Sequence, residues 1–283
     1  MDSIGGDTVT VKLVTNEKVA ETSSKGNQEK WLDKETNKWY KLDQFGYEAL
    51  AETFISKLLE KSNIESETPF TFVRYEPERM HVHDRDRTGC ASKNFLEDGQ
   101  SIITLNHLLS RQLGAPLKDK LERLNSDKKR IQYLAEATAE YTELAEFPQY
   151  LTLLFETDAL FLNDDRHLNN IAVIEQNGKF RYCPIFDNGA GLLSNTQFSP
   201  MDIDPKGLIK DIVARPFHTS FNRQINTARA LYGAQLKMPV FTRTEINELL
   251  IPMLGYYPVR DRSIIADRVT ECVLTRQKFN QCV

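Results

Sequence analysis

The stretch from Phe161 to Gly191 constrains the fold of this chain more than any other part of the sequence. It contains two apolar, β-like runs around an Asn-Gly turn, which is the pattern of a β-hairpin. A polar loop precedes the first run, and an aspartate followed by small residues comes after the second. Because a hairpin brings its two ends together, Asp165, Asn170 and Asp187 are predicted to converge on one spot.

These three side chains have the chemistry of a magnesium site. Carboxylate and amide oxygens are hard ligands of the type that Mg²⁺ prefers. Phosphoryl transfer uses such a cluster, with one aspartate orienting the attacking hydroxyl while an asparagine and a second aspartate hold metal on the nucleotide phosphates. The sequence therefore favours ATP and Mg²⁺ as cofactors, Asp165 as the catalytic carboxylate, and Asn170 and Asp187 as metal ligands.

The spacing supports this interpretation. Asp165 and Asn170 are five residues apart, as in the catalytic loops of kinases, although His167 here follows the aspartate instead of preceding it. We expect His167 to brace the loop, with a direct role on the γ-phosphate as the alternative. Asp187 is followed two and four residues later by glycines, which permit backbone angles that other residues resist. The alternatives are a polar turn that caps a helix for the first loop and an ordinary β-turn for the second.

Composition argues against several other classes. With 283 residues, 40% of them hydrophobic, the chain suits one kinase-sized catalytic unit. A formal net charge of −4 argues against a general nucleic-acid binder. No apolar run is long enough for a membrane span, and residues 1–14 lack the pattern of a signal peptide. The four cysteines form no Cys-x-x-Cys pair, so we expect reduced thiols in a bacterial cytoplasm, with a secreted effector that lacks a classical signal peptide as the alternative.

The coarse pattern along the chain predicts an α+β, bilobal, protein-kinase-like fold. Residues 1–76 are predicted to form a small β-rich N-lobe and residues 77–283 a larger helical C-lobe, with the nucleotide in the cleft between them. The N-lobe is predicted to contain strands over 8–14 and 69–75, a hairpin with arms 31–33 and 38–42, and a helix over 47–61. Residues 76–100 are charged and are predicted to be an irregular boundary. Helices of the C-lobe are predicted over 105–111, 116–124, 127–146, 149–162, 221–231, 243–254 and 260–279.

Lys41 is the best candidate for a lysine that binds the phosphates of ATP. It lies on a predicted strand between apolar residues, where its side chain would point into the cleft and meet the α- and β-phosphates. A carboxylate of the next helix would pair with it, and Glu48 and Glu52, four residues apart on one face, are both candidates. Lys30 and Lys38 compete with Lys41, and a snorkelling surface lysine is the remaining alternative.

At these positions the chain resembles the HipA-like Ser/Thr kinases, and within them the short CtkA-type branch. The Asp-x-His-x-x-Asn catalytic loop of that family matches Asp165, His167 and Asn170, and its metal-binding aspartate matches Asp187. The resemblance extends from about residue 20 to about residue 235. It implies the bilobal kinase fold and an ATP-dependent transfer of phosphate to serine or threonine.

The same resemblance implies a phosphate loop near the N-terminus. The Gly-x-Gln-x-Lys signature of the family matches Gly26, Gln28 and Lys30, in a small polar segment whose backbone N–H groups would lie over the ATP phosphates. Ser23 and Ser24 belong to the same segment, and we predict that one of them is autophosphorylated. A phosphate there would add about two negative charges beside the nucleotide and disfavour closure.

The resemblance also assigns the remaining nucleotide contacts. It maps the ATP lysine onto Lys41 and the acidic residue at the start of the following helix onto Glu48. It places a hinge at Val73, Arg74 and Tyr75, whose backbone would contact adenine. HipA proteins carry an additional N-terminal subdomain ahead of the phosphate loop, which this chain almost lacks, so a HipB-type DNA-binding partner is not expected.

Three alternatives to a protein kinase with a protein acceptor follow from the same residues. The Asp-Arg-His-x-x-Asn pattern also resembles phosphoinositide kinases, which implies a lipid or small-molecule kinase on the same fold. A nucleotide-binding pseudokinase that acts as a binding module is the second alternative, although no metal ligand is lost. His81 and His83 have metal-ligand spacing, but a solvated loop is favoured over a metal-dependent hydrolase because no third ligand is spaced nearby.

Overall fold

The N-terminal part of the chain forms a five-stranded sheet. The structure, a computed structural model, describes residues 11–13 and 29–280. The strands of this sheet are β1 (Val11–Leu13), β2 (Lys30–Asp33), β3 (Lys38–Leu42), β4 (Tyr75–Val82) and β5 (Arg85–Lys93). Their order across the sheet is β1-β4-β5-β3-β2, and all neighbours are antiparallel except the parallel pair β1 and β4.

The β2–β3 hairpin is confirmed where the sequence predicts it. Its alternating pattern turns Trp31 and Tyr40 to the same face, where their rings stack with centroids 5.7 Å apart. Both rings are buried together with aliphatic side chains of β3 and β4. Burial of this face fixes the strand register, which places Lys41 directly opposite Lys30.

Residues 76–93 form a second hairpin, so the prediction of an irregular boundary there is wrong. β4 and β5 pair residue by residue around a turn in which His83 and Asp84 have positive φ angles of 52° and 60°. The middle of β4 is half-exposed and carries charged side chains. The sequence of β4 therefore lacks the alternation of apolar and polar residues that indicates a strand. The boundary predicted after residue 76 falls inside β4. The strand predicted over 69–75 is reduced to an isolated bridge between Phe72 and Ile185.

Helix α1 (Glu48–Leu59) packs against the sheet and confirms the predicted helix at this position. Leu50, Phe54 and Leu58 enter the main hydrophobic core, which is shared with the helices that follow. A different face of the helix contributes Ala49 to a small cluster that also contains residues of β4 and β5. Helix α1 therefore lies between the sheet and the helical remainder of the chain.

The remainder of the described chain is mostly helical and contains a second, three-stranded sheet. The helices are α2 (Ile64–Glu67), α3 (Leu105–Leu113), α4 (Leu117–Glu122), α5 (Asp127–Thr142), α6 (Phe147–Phe161), α7 (Pro205–Asp211), α8 (Phe221–Tyr232), α9 (Arg243–Leu254) and α10 (Val259–Asn280). The strands are β6 (Ser101–Thr104), β7 (Ala172–Gln176) and β8 (Lys179–Tyr182), antiparallel in that order. None of the described helices is long and apolar enough to cross a membrane.

The β7–β8 hairpin confirms the feature that the sequence marks most strongly. Its turn is Asn177 and Gly178, with φ angles of 54° and 79°. An asparagine followed by a glycine tolerates this left-handed pair of residues at low cost. The loop that contains Asp165 therefore precedes the first strand of the hairpin, and Asp187 follows the second strand.

Candidate active site

Helix α6 leads directly into the predicted catalytic loop. The helix ends at Phe161, and Leu162 has a left-handed φ of 57°, which turns the chain sharply into the loop. Inside the loop the N–H of His167 donates to the carbonyl of Asp165 over 2.7 Å, and the side chain of Asn170 donates to the same carbonyl over 2.9 Å. The loop is therefore a compact turn that holds its three predicted catalytic residues together.

Arg166 lies under this loop and connects it to the loop that carries Asp187. The residue is 1% exposed, and its Nε donates to both carboxylate oxygens of Asp158 over 3.1 and 3.0 Å. Its Nη1 donates to the carbonyl of Asn170 over 3.1 Å and to that of Phe186 over 2.7 Å. One guanidinium group therefore binds the main chain both at Asn170 and at the residue before Asp187, which brings the two loops with the predicted metal ligands next to each other.

Lys41 bridges two carboxylates at the centre of the site. Its Nζ lies 2.5 Å from Oε1 of Glu52 and 2.7 Å from Oδ1 of Asp187. Lys41 and Glu52 are 8% and 0% exposed. Burial alone would lower the pKa of Lys41, but Asp187 and Glu52 raise it well above its ordinary value, so the lysine stays charged. One ion-paired cluster thus joins β3, α1 and the loop after β8.

Glu48, one of the two glutamates predicted as candidates for the partner of Lys41, does not pair with it. Its carboxylate instead accepts the N–H groups of Phe45 over 2.7 Å and of Gly46 over 3.1 Å. Burial raises the pKa of Glu48, and these backbone donors oppose the rise. Glu48 therefore shapes the chain that leads into α1, and Glu52, one turn later, is the glutamate that faces the lysine.

Asp187 has the unusual backbone conformation of its loop. Its φ is 60°, whereas the two glycines that follow were predicted to supply such angles. Gly191 is needed for space instead, because an added Cβ would lie 3.0 Å from two carbonyl oxygens. Burial would raise the pKa of the Asp187 carboxyl, but Lys41 and then Lys30 lower it far below its ordinary value. An ionised carboxylate beside two lysines is a suitable environment for phosphate oxygens and a divalent ion.

Asp165 lies on the open side of the site. Its side chain is 52% exposed, and its carboxylate is 3.9 Å from Nε2 of His167. Desolvation raises the pKa of Asp165, while His167 and Arg215 oppose the rise. Burial and the charge of Asp165 raise the pKa of the neighbouring Asp164 to about 6, again against Arg215. The catalytic loop therefore presents two carboxylates with one exposed arginine near them.

Asn170 and Asp187 fit a magnesium ion that is also held by phosphate. The amide nitrogen of Asn170 is committed to the carbonyl of Asp165, so a metal would meet its amide oxygen. Within residues 11–13 and 29–280, no group of three or more His, Cys, Asp or Glu side chains could hold a metal. Mg²⁺ is commonly held by one or two protein ligands with water and substrate phosphates, which matches this donor set.

His81 and His83 each pair with a nearby carboxylate at 2.8 Å.

Backbone hydrogen bonds of Val73 and Tyr75 within the fold argue against the adenine hinge predicted at Val73, Arg74 and Tyr75. The N–H of Val73 donates over 2.9 Å to a carbonyl of the segment after β8, so it is already used. Arg74 points to the surface and forms a bidentate pair with Glu65 at 3.0 and 2.7 Å. Tyr75 is buried, with its ring centroid 5.2 Å from Nζ of Lys41. The ring of Tyr75 therefore lies beside the ammonium group of Lys41. The backbone of Tyr75 belongs to strand β4.

An apolar surface borders the segment that connects β5 to the second sheet. Phe95 and Leu96 of this segment, together with Phe186, pack against a buried cluster, which consists of Ala172, Ile174 and Cys183. The rings of Phe95 and Phe186 have centroids 6.2 Å apart. Because Phe186 directly precedes Asp187, the apolar surface adjoins the charged cluster.

Four residues predicted for the phosphate loop lie outside the described part of the chain: Ser23, Ser24, Gly26 and Gln28. Lys30, at the end of that segment, is half-buried on β2 opposite Lys41. Burial lowers the pKa of Lys30, and the negative charge of Asp187 opposes this decrease. Lys30 is therefore a second cation near the same carboxylate as Lys41.

Sequence reasoning missed the residues that hold the two loops together. Besides Arg166, these include Asn163, whose side chain donates to Oδ1 of Asp158 over 2.9 Å and to the carbonyl of Asp187 over 3.3 Å. Asn188 accepts from Arg166 over 2.8 Å. The available signal was Asp158 itself, which with Glu156 is one of two acidic residues in the largely apolar second half of α6. A buried carboxylate requires a buried partner, and Arg166 is the next arginine in the sequence.

Comparison with solved structures identifies the type of fold. The chain is similar to the proinflammatory kinase CtkA of Helicobacter pylori, with a TM-score of 0.56 and 11% identity over 92% of this chain and 93% of that one. It is also similar to HipA of Shewanella oneidensis MR-1, from a toxin–antitoxin complex with HipB and operator DNA, with a TM-score of 0.47 and 12% identity over 90% of this chain and 65% of that one. No protein-family model and no curated protein matches the sequence. The likeness to CtkA shows a mixed α/β fold of the CtkA kinase type.

Proposed function

We propose that this chain is an ATP- and Mg²⁺-dependent Ser/Thr protein kinase of the HipA/CtkA type. The observation that carries the proposal is the contact of Lys41 with two carboxylates, Glu52 and Asp187, which stand 11 and 146 residues away in the sequence. A strand lysine paired with a helix glutamate is the arrangement that protein kinases use at the α- and β-phosphates. The CtkA-like fold is consistent with this assignment.

The nucleotide would lie between the five-stranded sheet and the second sheet. Adenine would pack on the apolar surface formed with Phe95, Leu96 and Phe186, and residues 94–97 would serve as the hinge. Lys41 and Lys30 would meet the phosphates, where two cations attract a polyanion to a chain of net negative charge. In this arrangement the two lobes of a bilobal fold would divide near residue 94 instead of residue 76.

Asn170 and Asp187 would hold Mg²⁺ through oxygen atoms, together with ATP phosphates and water. The ion would supply charge neutralisation at the transferred phosphoryl group. Arg166 fixes the main chain at both ligands, so their separation would be set before the nucleotide arrives. Such preorganisation lowers the reorganisation needed during the reaction.

Asp165 would orient the hydroxyl of the acceptor and accept its proton. Its carboxylate is on the open side of the site, where a serine or threonine side chain can approach. Desolvation raises its pKa, which makes it a better base than a fully hydrated aspartate. His167 would brace the turn that carries Asp165 and Asn170.

A protein acceptor and a cytoplasmic location complete the proposal. The described cysteines Cys90, Cys183 and Cys272 are buried free thiols, which suits a reducing compartment. The net charge of −4 gives no support to a nucleic-acid partner, and neither DNA nor a HipB-type protein is part of the proposed role.

Transfer of labelled γ-phosphate from ATP in the presence of Mg²⁺ tests the proposal. The wild-type protein should label itself or a generic protein, whereas Asp165→Asn and Asp187→Asn should lose activity by roughly a hundred-fold or more. Asp119→Asn, on the exposed face of α4, is the matched control and should keep full activity. Wild-type rates for both site variants would refute the proposal. Labelling of inositides but not of proteins would identify a lipid kinase, and nucleotide binding without any transfer would identify a pseudokinase.

We also propose that Ser23 or Ser24 is an autophosphorylation site, because the resemblance places both in the phosphate loop. Phosphorylation there would set about two negative charges near ATP and reduce its binding. Mass spectrometry after incubation with ATP should find phosphate on residue 23 or 24 in the wild type and none in Asp165→Asn. Phosphate found only at distant serines and threonines would contradict this part of the proposal.

A further inference from the structure

The turn between α9 and α10 contacts the N-terminal sheet. We call residues 255–258 the C-terminal turn. The carbonyl of Tyr256 accepts a hydrogen bond from Nη2 of Arg79 on β4 and another, of 2.7 Å, from Oγ1 of Thr88 on β5. The turn itself is held by Arg262 of α10, which donates to the carbonyl of Tyr257 over 2.9 Å. The C-terminal helices therefore present a fixed main-chain corner to the sheet.

The hydroxyl of Tyr257 connects the end of β3 to the start of α1. It donates to Oδ2 of Asp43 over 2.7 Å and accepts from the N–H of Leu50 over 3.2 Å. The other carboxylate oxygen of Asp43 accepts from the N–H of Ala49 over 2.6 Å. These bonds satisfy two of the N–H groups in the first turn of α1, which have no partner inside the helix.

The position of these bonds relates them to the ion pair of the site. Asp43 lies two residues after Lys41 on the same extended segment, and Leu50 lies two residues before Glu52 on the same helix. Within such short segments the backbone geometry is fixed. The bonds of Tyr257, together with the direct bond from the N–H of Ala49 to Asp43, therefore join the two segments that carry Lys41 and Glu52.

The hydroxyl is not required for packing. Tyr257 is 7% exposed and its ring belongs to the main hydrophobic core, a role that a phenylalanine ring would fill. A buried hydroxyl costs free energy unless it is hydrogen-bonded, and here both of its bonds go to the two segments that carry the ion pair. The polar atom thus has a geometric role distinct from that of the ring.

We propose that Tyr257 is a positioning residue for phosphate binding, through which the C-terminal turn holds Lys41 and Glu52 at their paired distance. The proposal rests on the proposed function in one respect, namely that Lys41 meets the nucleotide phosphates. Tyr257 contacts no reacting atom and acts through Asp43 and α1. The C-terminal helices therefore control the phosphate site from the opposite end of the chain.

Tyr257→Phe tests the proposal, with Tyr256→Phe as the matched control because Tyr256 uses only its main-chain carbonyl in these contacts. In Tyr257→Phe, amide hydrogen exchange over residues 48–52 should accelerate, and acetylation of Lys41 should become faster, as read by mass spectrometry. ADP affinity should fall by about ten-fold while adenosine affinity stays unchanged, because a loosened lysine affects only phosphate contacts. Tyr256→Phe should match the wild type in all three measurements.

The outcomes separate this proposal from the proposed function. Wild-type exchange and Lys41 acetylation in Tyr257→Phe would overturn it, whatever the enzymatic activity. Equal losses of ADP and adenosine affinity would also overturn it, since they indicate a general structural defect. Faster exchange and acetylation in a protein that transfers no phosphate would support the positioning role while the kinase assignment fails. If Tyr257→Phe does not fold, Thr88→Val, which releases the turn from β5, should reproduce the same changes to a smaller degree, and wild-type behaviour of that variant would overturn the proposal.

Discussion

The two sides of the candidate site, which the proposed function assigns to the nucleotide and to the acceptor, are built in different ways. On the nucleotide side, Lys41 and Glu52 are 8% and 0% exposed, and their charges are already paired at 2.5 Å. On the acceptor side, the side chain of Asp165 is 52% exposed and lies 3.9 Å from the nearest nitrogen of His167. Asp187 belongs to both sides. It contacts Lys41, and its negative charge is close enough to Asp165 to raise the pKa of the Asp165 carboxyl.

In the proposed kinase, this difference would separate the parts of the site that need to be rigid from those that do not. A buried, paired lysine can meet phosphate without reorganising its surroundings, which is the condition for strong electrostatic stabilisation. In the proposed mechanism the acceptor side has to stay open for a second substrate, and its loop is held by the bonds of the buried Arg166 to the main chain. Substitution of Arg166 should then affect both sides of the site, whereas substitution of a residue that belongs to one side, such as Lys41, should affect only that side.

The largest effect is expected from Arg166→Met, which removes the support common to both sides. Asp158 would be left buried without its cation, and such a loss costs about 3–5 kcal/mol in free energy of unfolding. Urea denaturation should show this decrease, and phosphotransfer should be lost with it.

A double variant distinguishes the cost of an unpaired buried Asp158 from the loss of the loop arrangement that Arg166 supports. Asp158→Asn combined with Arg166→Met removes the uncompensated charge and should recover part of the lost stability, but not the activity. Equal unfolding free energies of Arg166→Met and the wild type would show that Arg166 does not support the two loops.

Lys41→Met should affect the nucleotide side with less damage to the fold. Phosphotransfer should fall by roughly a hundred-fold or more. Without the cation, the pKa values of Asp187 and Glu52 rise, so their ionised forms destabilise the folded state most at neutral pH. The difference in unfolding free energy from the wild type should therefore shrink as the pH falls towards about 5. Lys38→Met, on the same strand, is the control and should retain activity; equal losses in both variants would contradict the role of Lys41.

The sequence predicted the parts of this site that depend on local pattern. The β7–β8 hairpin followed from its alternation and its Asn-Gly turn, and Lys41 followed from its place on a strand before a helix. The choice between Glu48 and Glu52 could not be made from spacing, because both lie on one helix face. Only the local contact of Glu48 with the backbone before α1 separates them, and that contact depends on the conformation of residues 44–46.

The parts that failed depend on contacts between distant segments. Strand β4 was missed because charged residues and Pro77 interrupt its alternation, and only pairing with β5 shows which of its positions are buried. The hinge predicted at residues 73–75 lies at the start of this strand, whereas the hinge proposed at residues 94–97 follows β5. Arg166 has a nearby side-chain partner in Asp158, but its bonds to the carbonyls of Asn170 and Phe186, which join the two loops, carry no residue-specific signal. Tyr257 was missed because its partner Asp43 lies far away in the chain.

Asp164→Asn should change stability on the acceptor side by a smaller amount, and in the favourable direction. Burial raises the pKa of Asp164 to about 6, above the value of about 3.9 for an unperturbed aspartate. The folded state therefore binds this proton more tightly than the unfolded state, and stability falls as the pH rises from about 4 to about 6. The asparagine should raise the unfolding free energy at pH 7.5 by about 1–2 kcal/mol and flatten its pH dependence in that window. A variant that is less stable than the wild type at pH 7.5 would show that the ionised carboxylate is stabilising.

The smallest effect is expected from Arg74→Ala, which tests whether residues 73–75 belong to the site at all. Arg74 is 49% exposed and pairs with Glu65 and Glu60 at the surface, and exposed pairs of this kind contribute about 1 kcal/mol or less. The unfolding free energy should therefore change by less than about 1 kcal/mol, and the KM for ATP should stay within about two-fold of the wild-type value. Phe95→Ala, in the segment that borders the apolar surface, should instead raise the KM for ATP by about ten-fold, because a truncated aromatic ring removes contact area with adenine. The opposite ranking of the two variants would return the hinge to residues 73–75 and move the nucleotide to the other side of Lys41.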